Sequence, residues 1–225
     1  LYKELLSVNL EAILSALGKN LSERIAICLG PASDCYRPEL APNVQEACDF
    51  AKLQYRLCEE VLSHFGLSFA DIVILHETIG TAQEALGISL AAQSCNIPLI
   101  LSFVVGRKGY LLDGKTIEST IAYIDQETSG FVEGFSLNCC SPYAFDRAVS
   151  LFTDRLLIQR LVGFYPNSWD ADPLDYETKD DLLEPSKSDS LRKIIEIGRE
   201  YELSFIGGCC GFGHPDIKRL AKSST

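Results

Sequence analysis

The sequence predicts an α/β protein whose parallel sheet is either covered by helices on both faces or closed into a barrel. Apolar runs typical of strands alternate strictly with amphipathic helical patterns along the 225 residues. The predicted strands are nearly continuously apolar, as parallel strands buried on both faces are. Hydrophobic residues make up 47% and charged residues 23% of the chain, ordinary values for a globular protein. We therefore expect one domain over residues 1–225.

The first half of the chain predicts an opening helix followed by three strand and helix pairs. Apolar residues spaced three and four apart predict a helix over Tyr2–Leu17. The apolar run Ile25–Leu29 ends at Gly30-Pro31, as a strand followed by a turn does. By the same patterns we predict the helices Val44–Phe65, Ala82–Gln93 and Thr116–Ile124, and the strands Ile72–Leu75 and Leu99–Val105.

The second half continues the alternation. Its apolar runs predict the strands Phe131–Leu137, Leu156–Phe164 and Ser204–Ile206, with helices over Phe145–Phe152 and Leu191–Tyr201. The segment from Tyr165 to Lys187 is rich in aspartate and proline and predicts an irregular stretch, in which Tyr165 and Asn167 shape a turn. Pro215 predicts the first turn of a last helix, because proline is favoured there.

Six strand and helix units after one unpaired helix fit two architectures. An open doubly wound sheet is expected to carry a glycine-rich phosphate loop after an early strand. The residues Leu29-Gly30-Pro31-Ala32-Ser33 match neither the GxGxxG pattern nor a P-loop. An eight-unit barrel that lacks its first unit and its second strand shows the same count, with roughly 60 residues missing.

Two cysteine clusters each follow a predicted strand: Asn138-Cys139-Cys140 and Gly207-Gly208-Cys209-Cys210. The carboxyl ends of parallel strands meet at one rim, so cysteines far apart in sequence meet there. Three thiolates suit zinc, and an open fourth position makes a zinc site catalytic. The spacing alone leaves two other interpretations open, a redox pair formed by Cys209 and Cys210 and simple packing.

Composition and the remaining cysteines narrow the class of protein. Cys48 and Cys58 lie in a helical pattern and are predicted to be small core residues. Nine cysteines, an odd number, without a secretory segment indicate reduced thiols and a cytoplasmic location. The net charge of -11 argues against nucleic acid or an anionic membrane surface as the partner. We find no apolar stretch long enough to span a bilayer.

Four motifs in consistent order resemble the zinc-dependent homocysteine S-methyltransferase family. This family includes betaine-homocysteine and S-methylmethionine-homocysteine methyltransferases and the homocysteine module of methionine synthase. The motifs are His76-Glu77-Thr78, Asn138-Cys139, Tyr165-Pro166-Asn167-Ser168, and Ile206 to Gly211 followed by Pro215 and Ile217. The resemblance implies a TIM-type (β/α)8 barrel that binds homocysteine and carries zinc at its carboxyl rim. The family's opening glycine-rich strand and second strand have no counterpart here, so we expect the chain to lack the first one to two units.

The resemblance also implies roles for individual residues. Cys139, Cys209 and Cys210 match the zinc ligands, and Cys140 is a bystander. Glu77 matches the residue that holds the amino group of homocysteine, with Thr78 and Asn138 beside it in the substrate site.

The implied reaction transfers a methyl group from a small-molecule donor to homocysteine and gives methionine. A sulfonium donor, S-methylmethionine or S-adenosylmethionine, is the first expectation, and betaine stays open. The alternative function is a non-catalytic zinc-binding or scaffold protein of the same fold.

Overall fold

The computed structural model of the chain describes residues 2–17, 25–175 and 187–223. Strands and helices alternate through these ranges as the sequence predicts. The strands are β1 (Ile25–Leu29), β2 (Ile72–Ile79), β3 (Leu99–Phe103), β4 (Gly134–Asn138), β5 (Leu161–Tyr165) and β6 (Phe205–Ile206). The α-helices are α1 (Tyr2–Leu17), α2 (Val44–His64), α3 (Ala82–Cys95), α4 (Ile117–Thr128), α5 (Ala144–Val149), α6 (Arg155–Ile158), α7 (Lys187–Glu200) and α8 (His214–Ser223).

The strand order distinguishes between the two predicted architectures. The six strands form one sheet in the order β1-β2-β3-β4-β5-β6, and every neighbouring pair is parallel. A doubly wound sheet reverses its strand order at a switch point, whereas this order runs in one direction. Right-handed crossovers that always advance in one direction place their helices on the same face. The sheet is therefore the curled wall of a partial TIM-type barrel.

The hydrophobic core lies between the outer face of the sheet and the helices. In β3, the alternate residues Leu99, Leu101 and Phe103 are fully buried against the helices. The rings of Phe103 and Phe135 on neighbouring strands stack with centroids 5.7 Å apart. Cys48 and Cys58 on α2 belong to this core, which confirms their predicted role as small packing residues.

Helices α2 and α3 approach each other closely at Gly87. A Cβ atom on Gly87 would lie 2.6 Å from the Cβ of Ala47 and would collide with the backbone oxygen of Val44. The start of each helix is fixed by its sequence. Asn43 and Glu46 form a capping box on α2, and the Thr81 side chain accepts a hydrogen bond from the backbone nitrogen of Glu84.

The inner face of the sheet carries smaller and more polar side chains than the outer face. Ser102 on β3, Ser136 and Asn138 on β4 all lie on this face. Tyr165 and Glu77, from the ends of β5 and β2, flank them. This face therefore supplies polar groups close to the carboxyl ends of the strands.

Some predicted boundaries are wrong. The predicted strand Leu156–Phe164 begins instead with helix α6, because Asp154 accepts a hydrogen bond from the Leu156 nitrogen at 2.9 Å and caps a helical turn. The strand that follows is Leu161–Tyr165. The predicted strand Phe131–Leu137 begins only at Gly134.

Other elements differ in length from the prediction. Strand β2 continues past Leu75 through the His76-Glu77-Thr78 motif to Ile79, and α7 begins at Lys187, before the predicted Leu191. In the predicted irregular stretch, Pro173–Asp175 forms a short 3-10 helix, while residues 176–186 lie outside the described residues. Among the helices of the described ranges, none combines the length and apolar character needed to cross a membrane.

Candidate metal centre

Three cysteines from two strand ends meet at the carboxyl rim of the sheet. The sulfur of Cys139, directly after β4, lies 3.7 Å from the sulfur of Cys210. The sulfurs of Cys209 and Cys210, shortly after β6, are 4.0 Å apart, and all three sulfurs lie within 4.8 Å of one another. The sequence reasoning that strand ends bring these residues together is therefore correct in its geometry.

The spacing and chemistry of the sulfurs fit a zinc ion. Four ligands at zinc–sulfur distances of about 2.3 Å around a tetrahedral ion place neighbouring sulfurs about 3.8 Å apart. Two of the three sulfur pairs, at 3.7 and 4.0 Å, are near that spacing. All nine cysteines of the chain are free thiols, so none of these three sulfurs is committed to a disulfide. A set of three soft thiolate donors favours zinc over magnesium or calcium.

The backbone is strained at two residues of this rim, Cys139 and Thr78. Cys139 has a φ of 51° and Thr78 a φ of 64°, in the left-handed region that residues with a Cβ rarely adopt. Thr78 is β-branched, which makes this conformation still less favourable. The pairing of β2 with β3 shifts register between His76 and Ile79, at the same place. Strain of this kind persists only where surrounding contacts impose it, and it concentrates at functional sites.

Asn138 supplies the contacts that hold Thr78. Its side-chain oxygen accepts hydrogen bonds from the Thr78 backbone nitrogen at 2.9 Å and from the Ser102 hydroxyl at 2.7 Å. Its side-chain nitrogen donates to the Thr78 hydroxyl at 2.8 Å. Asn138 is buried, with 1% of its surface exposed. The predicted substrate residues Thr78 and Asn138 thus form one hydrogen-bonded unit beside Cys139.

Asn167 joins the two cysteine-bearing loops. Its backbone nitrogen donates to the Cys140 oxygen at 2.8 Å, and its side-chain oxygen accepts from the Cys210 nitrogen at 3.1 Å. The backbone nitrogen of Cys209 also donates to the oxygen of Pro166 at 2.7 Å. The segment after β5 therefore fixes both loops, which is more than the turn-shaping role that the sequence predicts for Asn167.

Charged groups tie the neighbouring loops together beside the cluster. Asp170 accepts hydrogen bonds from the Ser141 hydroxyl at 2.6 Å and from Arg107 at 3.1 Å, with Arg147 at 3.4 Å. Burial alone would raise the pKa of Asp170, but the hydrogen bonds from Ser141 and the two arginines lower it below its ordinary value. The Asp170 carboxylate therefore joins the loops that follow β3, β4 and β5.

The three sulfurs influence one another's protonation. Hydrogen bonds with Cys139 and Cys209 lower the pKa of the Cys210 thiol, whereas hydrogen bonds with Cys139 and Cys210 raise the pKa of Cys209. The three thiols therefore differ in how readily they lose their protons. A metal that binds all three sulfurs as thiolates must displace the remaining protons.

Glu77 lies on the inner face of the sheet beside this cluster. Burial raises the pKa of its carboxyl group, and interactions with Tyr165 and Cys28 offset only part of that rise. A half-buried carboxylate without a basic partner among these groups is suited to bind a cation.

Two residues at the site escaped the sequence analysis. The Tyr36 hydroxyl lies 3.0 Å from the Cys139 sulfur, and Ser102 holds Asn138. Ser102 follows the rule that polar groups at the carboxyl ends of strands gather at one rim, and that rule was the available signal for it, whereas no sequence pattern pointed to Tyr36. Cys140, by contrast, is fully buried in the hydrophobic core and is absent from the sulfur cluster.

Comparisons with known proteins identify similar chains. A family model described as homocysteine S-methyltransferase matches residues 3–224. The metallated form of the homocysteine methyltransferase MmuM from Escherichia coli is 19% identical, with a TM-score of 0.62 over 94% of this chain and 65% of that chain. The oxidized form of the same enzyme is 18% identical, with a TM-score of 0.65 over 96% of this chain and 67% of that chain. No curated protein sequence matches.

The chain thus spans about two thirds of the length of these solved structures. At identities below 20%, the two structural likenesses concern the fold. The family match extends over nearly the whole chain and includes the three clustered cysteines.

Proposed function

This chain belongs to the homocysteine S-methyltransferase family, and from that premise we propose that it transfers a methyl group to the thiol of homocysteine and gives methionine. The observation that carries the proposal is the cluster of Cys139, Cys209 and Cys210 at the carboxyl rim. The bond that forms joins the homocysteine sulfur to the methyl carbon. The bond that breaks joins this carbon to a positive sulfur or nitrogen of the donor, which leaves as a neutral thioether or amine, and the thiol proton is released to solvent.

The three cysteines are the residues that would hold zinc. When bound, zinc supplies a Lewis acid that keeps the thiol of homocysteine deprotonated near neutral pH, where a free thiol is mostly protonated. The cysteines themselves contribute negative charge, which keeps a thiolate in their midst nucleophilic. Asn167 holds the loop of Cys210 through its side-chain oxygen, and Asn138, directly before Cys139, holds Thr78.

Glu77 is proposed to bind the amino group of homocysteine. Its carboxylate lies on the inner face and has a raised pKa because of burial. Pairing with an ammonium group would offset the cost of removing the charged carboxylate from water. Thr78 and Asn138 are proposed to complete this part of the substrate site, with Asn138 positioning Thr78.

The donor and the complete architecture belong to the same proposal. A methyl sulfonium such as S-methylmethionine or S-adenosylmethionine is the donor class that we favour, with betaine as the alternative.

We propose that the six-stranded wall is part of a closed eight-stranded barrel. Nine free thiols support a location in the reducing cytoplasm.

The proposal is tested by measuring zinc content and homocysteine methylation on reduced protein. The protein would be compared with Cys209→Ser and with Cys95→Ser, whose cysteine is exposed and remote on α3. S-methylmethionine, S-adenosylmethionine and betaine would be supplied in parallel. We expect about one zinc per chain and methionine formation in the protein and in Cys95→Ser, and loss of both in Cys209→Ser.

Two results would contradict the proposal in different ways. A protein that binds zinc through Cys209 and forms no methionine from any of the three donors would be the non-catalytic zinc-binding protein. If the protein takes up no zinc, the three cysteines would instead have a redox or packing role.

A further inference from the structure

The hydroxyl of Tyr36 contacts one sulfur of the cluster and no role has yet been assigned to it. Its oxygen lies 3.0 Å from the sulfur of Cys139, across 103 residues of sequence. Tyr36 lies in the loop between β1 and α2, whereas the cysteines follow β4 and β6. A third strand end therefore contributes to the cluster through a side chain that is not a cysteine.

The loop that carries Tyr36 is fixed by contacts along its length. The Gly30 oxygen accepts a hydrogen bond from the Gln54 side chain at 3.2 Å. The Ala32 nitrogen donates to Glu84, a carboxylate with only 4% of its surface exposed, at 3.2 Å. The Tyr36 nitrogen itself donates to the Asp34 side chain at 3.0 Å. These bonds determine where the Tyr36 ring emerges from the loop.

The direction of the contact follows from the chemistry of the two groups. A metal-bound cysteine is a thiolate, which has no hydrogen to donate. A phenol near neutral pH is protonated, because its ordinary pKa is about 10. The Tyr36 hydroxyl is therefore the donor and the Cys139 sulfur the acceptor whenever the sulfur binds a metal.

We propose that Tyr36 is a positioning residue of the metal centre, whose hydroxyl donates a hydrogen bond to the Cys139 thiolate and thereby strengthens metal binding. This inference rests on the metal site of the proposed function. The backbone at Cys139 is strained, with a φ of 51°, so its sulfur needs contacts that hold it in the cluster. Tyr36 supplies such a contact to the sulfur itself.

The consequence is an asymmetric set of ligands. Cys139 is buried and carries the tyrosine hydrogen bond, whereas Cys210 is exposed to solvent. Hydrogen bonds from groups around a metal site orient its ligands, and their loss typically weakens metal affinity by about 10- to 100-fold. We expect a loss in that range when the Tyr36 hydroxyl is removed.

The test compares the protein with Tyr36→Phe and with Tyr123→Phe, whose tyrosine lies exposed on α4, far along the sequence from the cluster loops. Zinc affinity would be measured by competition with a chromophoric chelator, without homocysteine or donor. The same proteins would be loaded with cobalt, and their sulfur-to-cobalt charge-transfer absorption recorded. Loss of a hydrogen bond raises the energy of the sulfur lone pairs, so this band should move to lower energy.

We expect Tyr36→Phe to bind zinc 10- to 100-fold more weakly and to shift the cobalt band, while Tyr123→Phe matches the unchanged protein. Equal zinc affinity and an unmoved band in Tyr36→Phe would overturn the inference and leave the proposed function intact. Weaker zinc binding with an unmoved band would also overturn it, because the hydroxyl would then affect zinc binding without donating to the thiolate. An unchanged protein that takes up neither metal would refute the metal site itself, and both proposals with it.

Discussion

Glu77 is the side chain on which recognition of homocysteine depends in our proposal. We predict that Glu77→Gln raises the KM for homocysteine by roughly 10- to 100-fold, because a hydrogen bond to a charged group contributes about 1.5–3 kcal/mol. The kcat at saturating homocysteine should change much less. Steady-state kinetics would measure both constants, with the exposed Glu127→Gln on α4 as the control.

The proposed role of Glu77 also predicts how the affinity for homocysteine changes with pH. Burial raises the pKa of Glu77, and only the ionised carboxylate pairs with an ammonium group. Affinity for homocysteine should therefore fall as the pH decreases through the raised pKa of Glu77, at a higher pH than for an exposed glutamate. That loss should disappear in Glu77→Gln. A pH profile of KM that is the same in both proteins would exclude Glu77 from substrate binding.

At the residue scale, the sequence predicts the cysteines better than their surroundings. Cys139, Cys209 and Cys210 each follow an apolar run, so the convergence of parallel strand ends is enough to bring them together. Tyr36 lies in a loop, and no spacing rule connects a loop tyrosine with a cysteine 103 residues away. Its role becomes visible only when the contacts of its loop fix its position.

At the scale of the elements, the crossing of α2 and α3 depends on the absence of a side chain. We predict that Gly87→Ala lowers the free energy of unfolding by about 1–3 kcal/mol, because its Cβ would meet the backbone of α2. Urea unfolding would measure the change. Gly30→Ala is the matched control, since a Cβ there meets no atom within 4 Å. Equal stability of both variants would show that the two helices separate at little cost.

The elements also show where sequence patterns fail. The run Leu156-Leu157-Ile158 is apolar enough for a buried strand, yet the Asp154 cap makes it a helical turn. Short apolar runs do not distinguish a strand from a buried helix, and a cap decides between them. Strand β2 extends beyond its apolar run because Asn138, from another strand, holds the backbone of Thr78. A contact of this kind over 60 residues leaves no local signal.

At the scale of the whole molecule, zinc binding is expected to stabilise the fold. The three sulfurs come from two separate loops, so an ion that joins them binds the folded state and not the unfolded chain. We predict that zinc at about 100 times its Kd stabilises the protein by about 2.7 kcal/mol. For a chain of this size, that corresponds to a rise in Tm of roughly 5–11 °C.

Thermal unfolding with zinc and with a chelator would check this prediction. The shift should shrink as the pH falls, because the thiols must lose protons to bind the ion. Cys210→Ser should show no shift, and Cys95→Ser should show the full shift. A full shift in Cys210→Ser would assign the stabilising zinc to another site.

The strictly sequential strand order has a consequence for folding and metal binding during synthesis on the ribosome. Each strand pairs with its predecessor, so the wall can grow in the order in which the ribosome delivers it. Cys139 and Cys209 lie 70 residues apart, a delay of roughly 4–14 s at 5–20 residues per second. Each nascent chain therefore carries Cys139 for seconds before the other two ligands have been synthesised. Metal can consequently bind at this site only after β6 has been synthesised and has paired with β5.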